Sequence, residues 1–211
     1  MNSWVTTLLD IIFPVSERAR RVESARAEPL PYAPSEREIG ERAITLLSSY
    51  DDPRVRDAVC ALKFERDRHA LGLLAAMLND FLVEHCADEA LFGARTVCVA
   101  IPLGKRRLAE RGMNQVEAAL RGTHIVRSGR LPLVPALVRT RDTKMQSTLP
   151  RTERLANMRG AFAVSSPHLA TLRGATVLLI DDVTTTGATL SEAARPLEEA
   201  GAIVHLIAIA G

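Results

Sequence analysis

Apolar residues recur at two different periods along this chain, and the changes of period divide it into elements. Leu8, Leu9, Ile11, Ile12 and Phe13 form a short amphipathic segment closed by Pro14, which reads as a helix docked on the body of the protein. From Val15 to about Gly40 the composition turns to Arg, Glu, Ser and Pro, with Pro29, Pro31 and Pro34, and no apolar period survives; this is expected to be a linker or irregular arm. Val55, Val59 and Leu62 follow at four- and three-residue spacing, and Leu71, Leu74, Leu78 and Leu82 continue a second stripe, so two core-facing helices are predicted. Thr96 to Ile101 is a short β-branched run ending at Pro102, the pattern of a buried strand. A helix from about Leu108 to Leu120 and a strand at Leu133 to Val138 come next.

The stretch from Arg139 to Gly160 is polar, cationic and poor in large apolar side chains, so it has little to bury and is expected to be a long mobile loop. Beyond it lie predicted strands at Ala161 to Val164 and Thr176 to Ile180, a helix from about Ala188 to Ala200, and a last strand at Ile203 to Ala208. Pro196 removes a backbone donor inside that helix and predicts a kink near Glu192 to Pro196, while Gly201 is its natural terminator. Strands alternating with helices imply an α/β fold with a mainly parallel central sheet and helices on both faces. The expected division is an N-terminal helix and irregular arm over residues 1–45 and one domain over 46–211.

Composition narrows the chemistry. With 211 residues, 47% hydrophobic, 25% charged and a formal net charge of +2, the chain has enough apolar mass for one good core and no global charge bias, so any anion site must be local. Cys60, Cys86 and Cys98 are odd in number, widely spaced and free of any Cys-x-x-Cys pattern, which fits reduced thiols in a cytoplasmic protein. The apolar run near the N-terminus is interrupted by Asp10 and is far shorter than the roughly 18 residues a membrane span needs, so no span or secretion signal is expected. The five histidines show no metal-ligand spacing.

The most informative segment is Val177-Leu-Leu-Ile-Asp181-Asp182-Val-Thr184-Thr185-Thr186-Gly187-Ala188-Thr189-Leu190, an apolar strand running into two carboxylates, a hydroxyl-rich turn and a helix. Ligands in an open parallel sheet sit beyond the carboxyl ends of strands, where the next helix begins with unpaired N–H groups. The turn from Thr184 to Thr189 is therefore an anion cradle: Thr185, Thr186 and Thr189 add hydroxyls, and Gly187 lets a phosphate oxygen approach the backbone without a Cβ in the way. Asp181 and Asp182 repel a phosphate but accept hydrogen bonds from a ribose diol and attract magnesium, directly or through water. An ATPase would carry an acidic strand end as well, but it requires a G-x-x-x-x-G-K-[ST] loop, which this chain lacks.

Lys105, Arg106 and Arg107 directly follow a predicted strand end, where they can meet a pyrophosphate, and Arg111 can join them; Asn114 or Gln115 can orient that loop. Arg139, Arg141, Lys144 and Arg151 give the long loop the charge to fold over a bound ligand and exclude water.

The Asp181 to Thr189 string resembles the phosphoribosyl pyrophosphate motif of type I phosphoribosyltransferases. Val55-Arg56, Leu62-Lys63-Phe64, Ile101-Pro102-Leu103, Glu110-Arg111-Gly112-Met113-Asn114-Gln115, Arg139-x-Arg141-x-Thr143-x-x-Gln146, Arg154, Asn157 and Gly160-Ala161-Phe162 narrow the resemblance to the ComF family of competence-associated phosphoribosyltransferase-like proteins. It covers about Tyr50 to the C-terminus, with Leu8 to Pro14. The resemblance implies a Rossmann-like type I phosphoribosyltransferase core, with Asp181 and Asp182 as catalytic residues at the ribose and magnesium, and Thr184, Thr185, Thr186, Gly187, Ala188 and Thr189 at the 5-phosphate. It also implies a flexible loop carrying Arg139, Arg141, Thr143 and Gln146. Members of the family commonly carry a cysteine-rich zinc ribbon after the segment matching Leu8 to Pro14; no cysteine precedes Cys60 here, so zinc is not carried over.

Three functions follow as expectations. The first is transfer of a phosphoribosyl group between phosphoribosyl pyrophosphate and a nitrogenous base, with a nucleoside monophosphate as the alternative ligand. The second is a non-catalytic ligand sensor or a protein partner in the DNA-uptake (competence) machinery using the same cradle. Nucleic acid ranks last as a primary ligand, because the basic stretch from Arg139 to Arg159 contains no aromatic ring on which to stack bases.

Overall fold

The computed structural model describes residues 22, 28–39, 42–89, 95–141 and 160–211, with backbone alone at 86–89. The expected docking helix at Leu8 to Pro14, and Thr143, Lys144, Gln146 and Arg151 of the long loop, lie outside the described residues.

A five-stranded sheet forms the centre, in the order β1-β2-β7-β6-β3. Its strands are β1 (Ser35–Ile39), β2 (Arg42–Ser48), β3 (Thr96–Ala100), β6 (Thr176–Val183) and β7 (Ile203–Ala210). All neighbours run parallel except β1, which pairs antiparallel with β2. A separate antiparallel hairpin joins β4 (Leu137–Arg139) to β5 (Phe162–Val164). The helices are α1 (Pro53–Cys60), α2 (Arg68–Glu89), α3 (Lys105–Arg111), α4 (Gln115–Gly122), α5 (His124–Arg127), α6 (Leu169–Leu172) and α7 (Ala188–Glu199).

Two buried clusters lie on opposite faces of the sheet, and strand β6 explains why. Leu178 and Ile180 join Val55, Leu62, Leu74, Leu78, Val116 and Leu120 of the α1, α2 and α4 layer. Val177 and Leu179, one residue out of phase, join Leu190, Ala193, Ala194 and Leu197 of α7 and Phe162 of the hairpin. A strand covered on both faces needs apolar residues at every position, which is why Val177 to Ile180 shows no polar alternation. The Rossmann-like architecture expected from the sequence is present: a mainly parallel sheet with helices on both faces.

Three element expectations are corrected. Residues 35–39, read as irregular arm, form the edge strand β1; its pattern Ser-Glu-Arg-Glu-Ile is largely exposed, so it carries no apolar signal, and Arg42–Ser48 continues it as β2. The single helix expected from Leu108 to Leu120 is two. Gly112 adopts φ 74° and donates to Leu108 O at 2.8 Å to close α3, and Asn114 then caps α4, its Oδ1 accepting from the N–H groups of Val116 and Glu117 at 3.1 and 3.3 Å. The strand expected over Leu133 to Val138 begins at Leu137; Leu133 makes only an isolated bridge to Cys98. Helix α7 continues through Pro196, which stands in its last turn.

Asn114 also donates from Nδ2 to Ile101 O at 2.8 Å, tying the start of α4 to the end of β3. Asn114→Ala removes both the cap and this tie, and is expected to lower stability by about 1–2 kcal/mol. Urea unfolding of the two proteins checks this, with an unchanged m-value expected.

Candidate functional site

Strands β3 and β6 are parallel neighbours, so their carboxyl ends open at the same edge of the sheet. A cavity of about 730 Å³ lies there. One wall is the end of β6 and its turn: Asp181, Asp182, Val183, Thr185 and Thr189. The segment after β3 and helix α3 supply Pro102, Leu103, Arg106, Arg107 and Arg111; Arg139 enters from β4, and Tyr50, Cys60, Lys63 and Phe64 come from the start of the helical layer.

The β6 turn is held locally. Thr184 is buried, and its Oγ1 accepts from Gly187 N–H at 3.1 Å, closing the turn just before α7. Gly187 has φ 69°, a left-handed conformation that favours glycine, and an added Cβ would lie 2.4 Å from Ile39 Cδ1 and 2.8 Å from Ile44 Cδ1. The need for glycine here is therefore packing against β1 and β2 together with the turn conformation, a reason different from the phosphate approach expected from sequence. Gly187 and Ala188 are both buried at the helix start; Thr185 and Thr189 line the cavity, and Thr184, Thr186, Gly187 and Ala188 do not.

The two carboxylates differ. Asp182 Oδ1 accepts from Val183 N–H at 2.6 Å, and its Oδ2 faces two cations, Lys63 Nζ at 3.0 Å and Arg111 Nη1 at 3.9 Å. Asp181 Oδ1 accepts from Asp182 N–H at 2.9 Å. Burial, and then the neighbouring charge of Asp182, push the Asp181 carboxyl up to about 7, outweighing that hydrogen bond and the pull of Lys63 and Arg139.

Among the described residues no group of three or more His, Cys, Asp or Glu side chains is placed to hold a metal. Two adjacent carboxylates, one already in contact with an ammonium, are hard oxygen donors of the kind magnesium takes.

Of the basic residues expected at a pyrophosphate, the fold brings Arg106, Arg107 and Arg111 to the cavity; Lys105, exposed at the first position of α3, does not line it. Arg111 is fixed by donating to Gln115 Oε1 at 3.1 Å, and Arg106 Nε lies 3.7 Å from Glu110 Oε1. The Arg139 guanidinium sits over the Phe162 ring at 5.3 Å from its centroid, and Arg141 is exposed. Thr140 Oγ1 donates to Gly160 O at 2.8 Å, and Gly160 N–H donates to Glu192 Oε1 of α7 at 2.7 Å.

Lys63, Phe64, Tyr50 and Cys60 were not among the site residues expected from sequence. Lys63 and Phe64 lie in Ala61–Glu65, a turn wound wider than an α-helix, closed by Arg66 at φ 55°. Arg66 is the one non-glycine residue with positive φ among those described. It packs against Gly112 and donates from Nη2 to Glu110 O at 3.4 Å, joining this turn to the α3–α4 corner. Such widened turns gather at functional sites, but no sequence period announces them. The Tyr50 hydroxyl lies 3.6 Å from Cys60 Sγ, and burial followed by this contact pushes its pKa up to about 12.

Residues 131–211 match the phosphoribosyl transferase domain family. Over 148 residues the chain is 36% identical to the competence protein ComFC of Streptococcus pneumoniae, covering 70% of this chain and 59% of that one. It is 40% identical over 153 residues to ComFC of Bacillus subtilis (72% and 57%), and 33% identical over 161 residues to the DNA utilization protein YhgH of Escherichia coli (71% and 63%). The chain thus spans less than two thirds of the length of these curated relatives. No helix among the described residues is long and apolar enough to cross a membrane.

Proposed function

This chain belongs to the ComF family and carries a phosphoribosyltransferase-type domain, and from that premise we propose that its cleft binds phosphoribosyl pyrophosphate, or a nucleoside monophosphate, together with magnesium, and transfers the phosphoribosyl group to or from a nitrogenous base. The observation that carries the reading is the convergence of three chemistries on one cavity: the acidic pair at the end of β6, the hydroxyls of Thr185 and Thr189 beside it, and three arginines from α3.

In this reading the hydroxyls of Thr185 and Thr189 hold the 5-phosphate, beside the amino end of α7, which favours negative charge. Asp181 and Asp182 accept from the ribose hydroxyls and orient the sugar. Magnesium, when bound, supplies charge neutralisation on the diphosphate. Arg106, Arg107 and Arg111 stabilise the negative charge that gathers on the diphosphate as the bond at ribose C1 breaks, the term that dominates such transfers. Leaving-group stabilisation on this scale does not require a strong general base.

Calorimetric titration of phosphoribosyl pyrophosphate with and without magnesium, on the native chain and on Asp181→Asn/Asp182→Asn, tests the reading. Magnesium-dependent binding lost in the double variant is the expected result; a native chain that binds nothing under either condition overturns it.

A second reading is favoured by the names of the relatives, competence protein and DNA utilization protein: a cytoplasmic partner in the competence machinery that binds the same ligand without turnover. Ligand binding with no product formed from any nitrogenous base would select it.

A further inference from the structure

We propose that Lys63 is a resident counter-cation of the acidic pair, which leaves Asp182 when a magnesium-bearing diphosphate sugar enters, so that metal and ligand bind only together and the ammonium passes to the diphosphate. The inference rests on the reading of the cleft given above and adds to it a gate on metal entry.

Asp182 has one oxygen committed to the backbone, Oδ1 accepting from Val183 N–H at 2.6 Å, which leaves Oδ2 for a cation. Lys63 Nζ holds that oxygen at 3.0 Å, and the two side chains are only 15% and 18% exposed. Solvent screening is weak at such depth, so a second cation arriving at Oδ2 meets the ammonium directly.

Arg111 also approaches Oδ2, at 3.9 Å, but its guanidinium donates to Gln115 Oε1 at 3.1 Å, and Gln115 is buried and donates in turn to Met113 O at 3.2 Å. That chain of bonds fixes Arg111 in place. Lys63 ends in a compact point charge on a flexible four-carbon stem, and both Lys63 and Arg111 line the cavity. Lys63 is therefore the cation able to yield. A bare divalent ion offers it no new partner, whereas a diphosphate supplies negative charge within the same cavity to receive the displaced ammonium. Metal and ligand then raise each other's affinity by the same factor, as any linked pair of sites must.

The test titrates Mn²⁺, counted by electron spin resonance, into the full chain, Lys63→Met and Lys63→Arg, with and without phosphoribosyl pyrophosphate. Without the sugar, Lys63→Met is expected to bind Mn²⁺ about tenfold more tightly than the native chain, and Lys63→Arg to stay at the native value. With the sugar present, the native chain gains metal affinity strongly and Lys63→Met loses most of that gain. Equal metal affinity of Lys63→Met and the native chain in the absence of sugar overturns the counter-cation role. So does Lys63→Arg behaving like Lys63→Met, since shape and not charge would then be the cause. A native chain whose Mn²⁺ affinity ignores the sugar overturns the hand-over. If it also fails to bind the sugar, the parent reading falls as well, while the metal-only comparison still decides whether Lys63 competes for Asp182. Melting curves of each variant separate loss of fold from loss of charge.

Discussion

Gly187→Ala is expected to destabilise the protein by roughly 2–4 kcal/mol, combining the penalty of a left-handed non-glycine residue with overpacking. The new methyl group would stand 2.4 Å from Ile39 Cδ1 and 2.8 Å from Ile44 Cδ1, and the backbone at φ 69° resists a Cβ even in open space. Ile44 is fully buried, and Ile39 packs at the edge of the same cluster, so the flexible ends of these side chains can yield only in part. The double change Gly187→Ala/Ile39→Ala separates the contributions: space is restored, and what remains is the cost of the turn conformation. Denaturant unfolding of the single and double variants measures both. A single variant within roughly 0.5 kcal/mol of the native protein would contradict the packing account. A functional consequence follows, because the same turn carries Thr185 and Thr189 into the cavity. Strand β1, outwardly a charged edge, thus braces the Thr185 and Thr189 side of the candidate site from behind.

Asp181→Asn is expected to move stability and binding in opposite directions. The native carboxyl is held at about 7 by burial first and by Asp182 second, against an ordinary value of 3.8. A group whose pKa is raised on folding contributes most below its unfolded value, and that contribution is lost as pH rises from about 4 through about 7. The asparagine variant has no such loss. Its melting temperature should match the native protein near pH 4 and exceed it near pH 8. Because Asp181 still reaches the solvent of the cavity, the gain is on the order of 2 kcal/mol, or several degrees for a chain of this size. Binding of phosphoribosyl pyrophosphate with magnesium should fall at the same time by about a hundredfold, as two hydrogen-bonded or charge-assisted contacts are lost. Thermal scans across this pH range, beside the calorimetric titration, read both effects. A variant less stable than the native chain at pH 8 would show that the Asp181 carboxylate is compensated by more than the pull of Lys63 and Arg139. Such destabilised carboxylates are expected where a protein keeps charge in readiness for a ligand.

What the sequence determined by itself is everything whose signal is local. The strand Thr176 to Ile180 shows as an unbroken apolar run because both faces are covered, and the acidic pair, the hydroxyl turn and helix α7 follow within a few residues. The chemistry of that wall is written contiguously, so both its position and its character are legible. Arg106, Arg107 and Arg111 were legible for a similar reason, following directly on a strand end that any parallel sheet turns towards ligand.

Only the tertiary structure decided the rest. Strand β1 carries almost no apolar signal because most of its side chains are exposed, and its role appears only through its pairing with β2 and its contact behind Gly187. The break between α3 and α4 rests on one left-handed glycine and the cap at Asn114, which a continuous apolar stripe outweighs when read along the chain. Lys63 is the clearest case. In sequence it is one lysine at the end of a helical pattern, far from the acidic pair. Its place 3.0 Å from Asp182 comes from the widened turn and from packing the helical layer on the sheet. A charge gains functional meaning from what stands opposite it, and that partner is chosen by the fold of the whole domain.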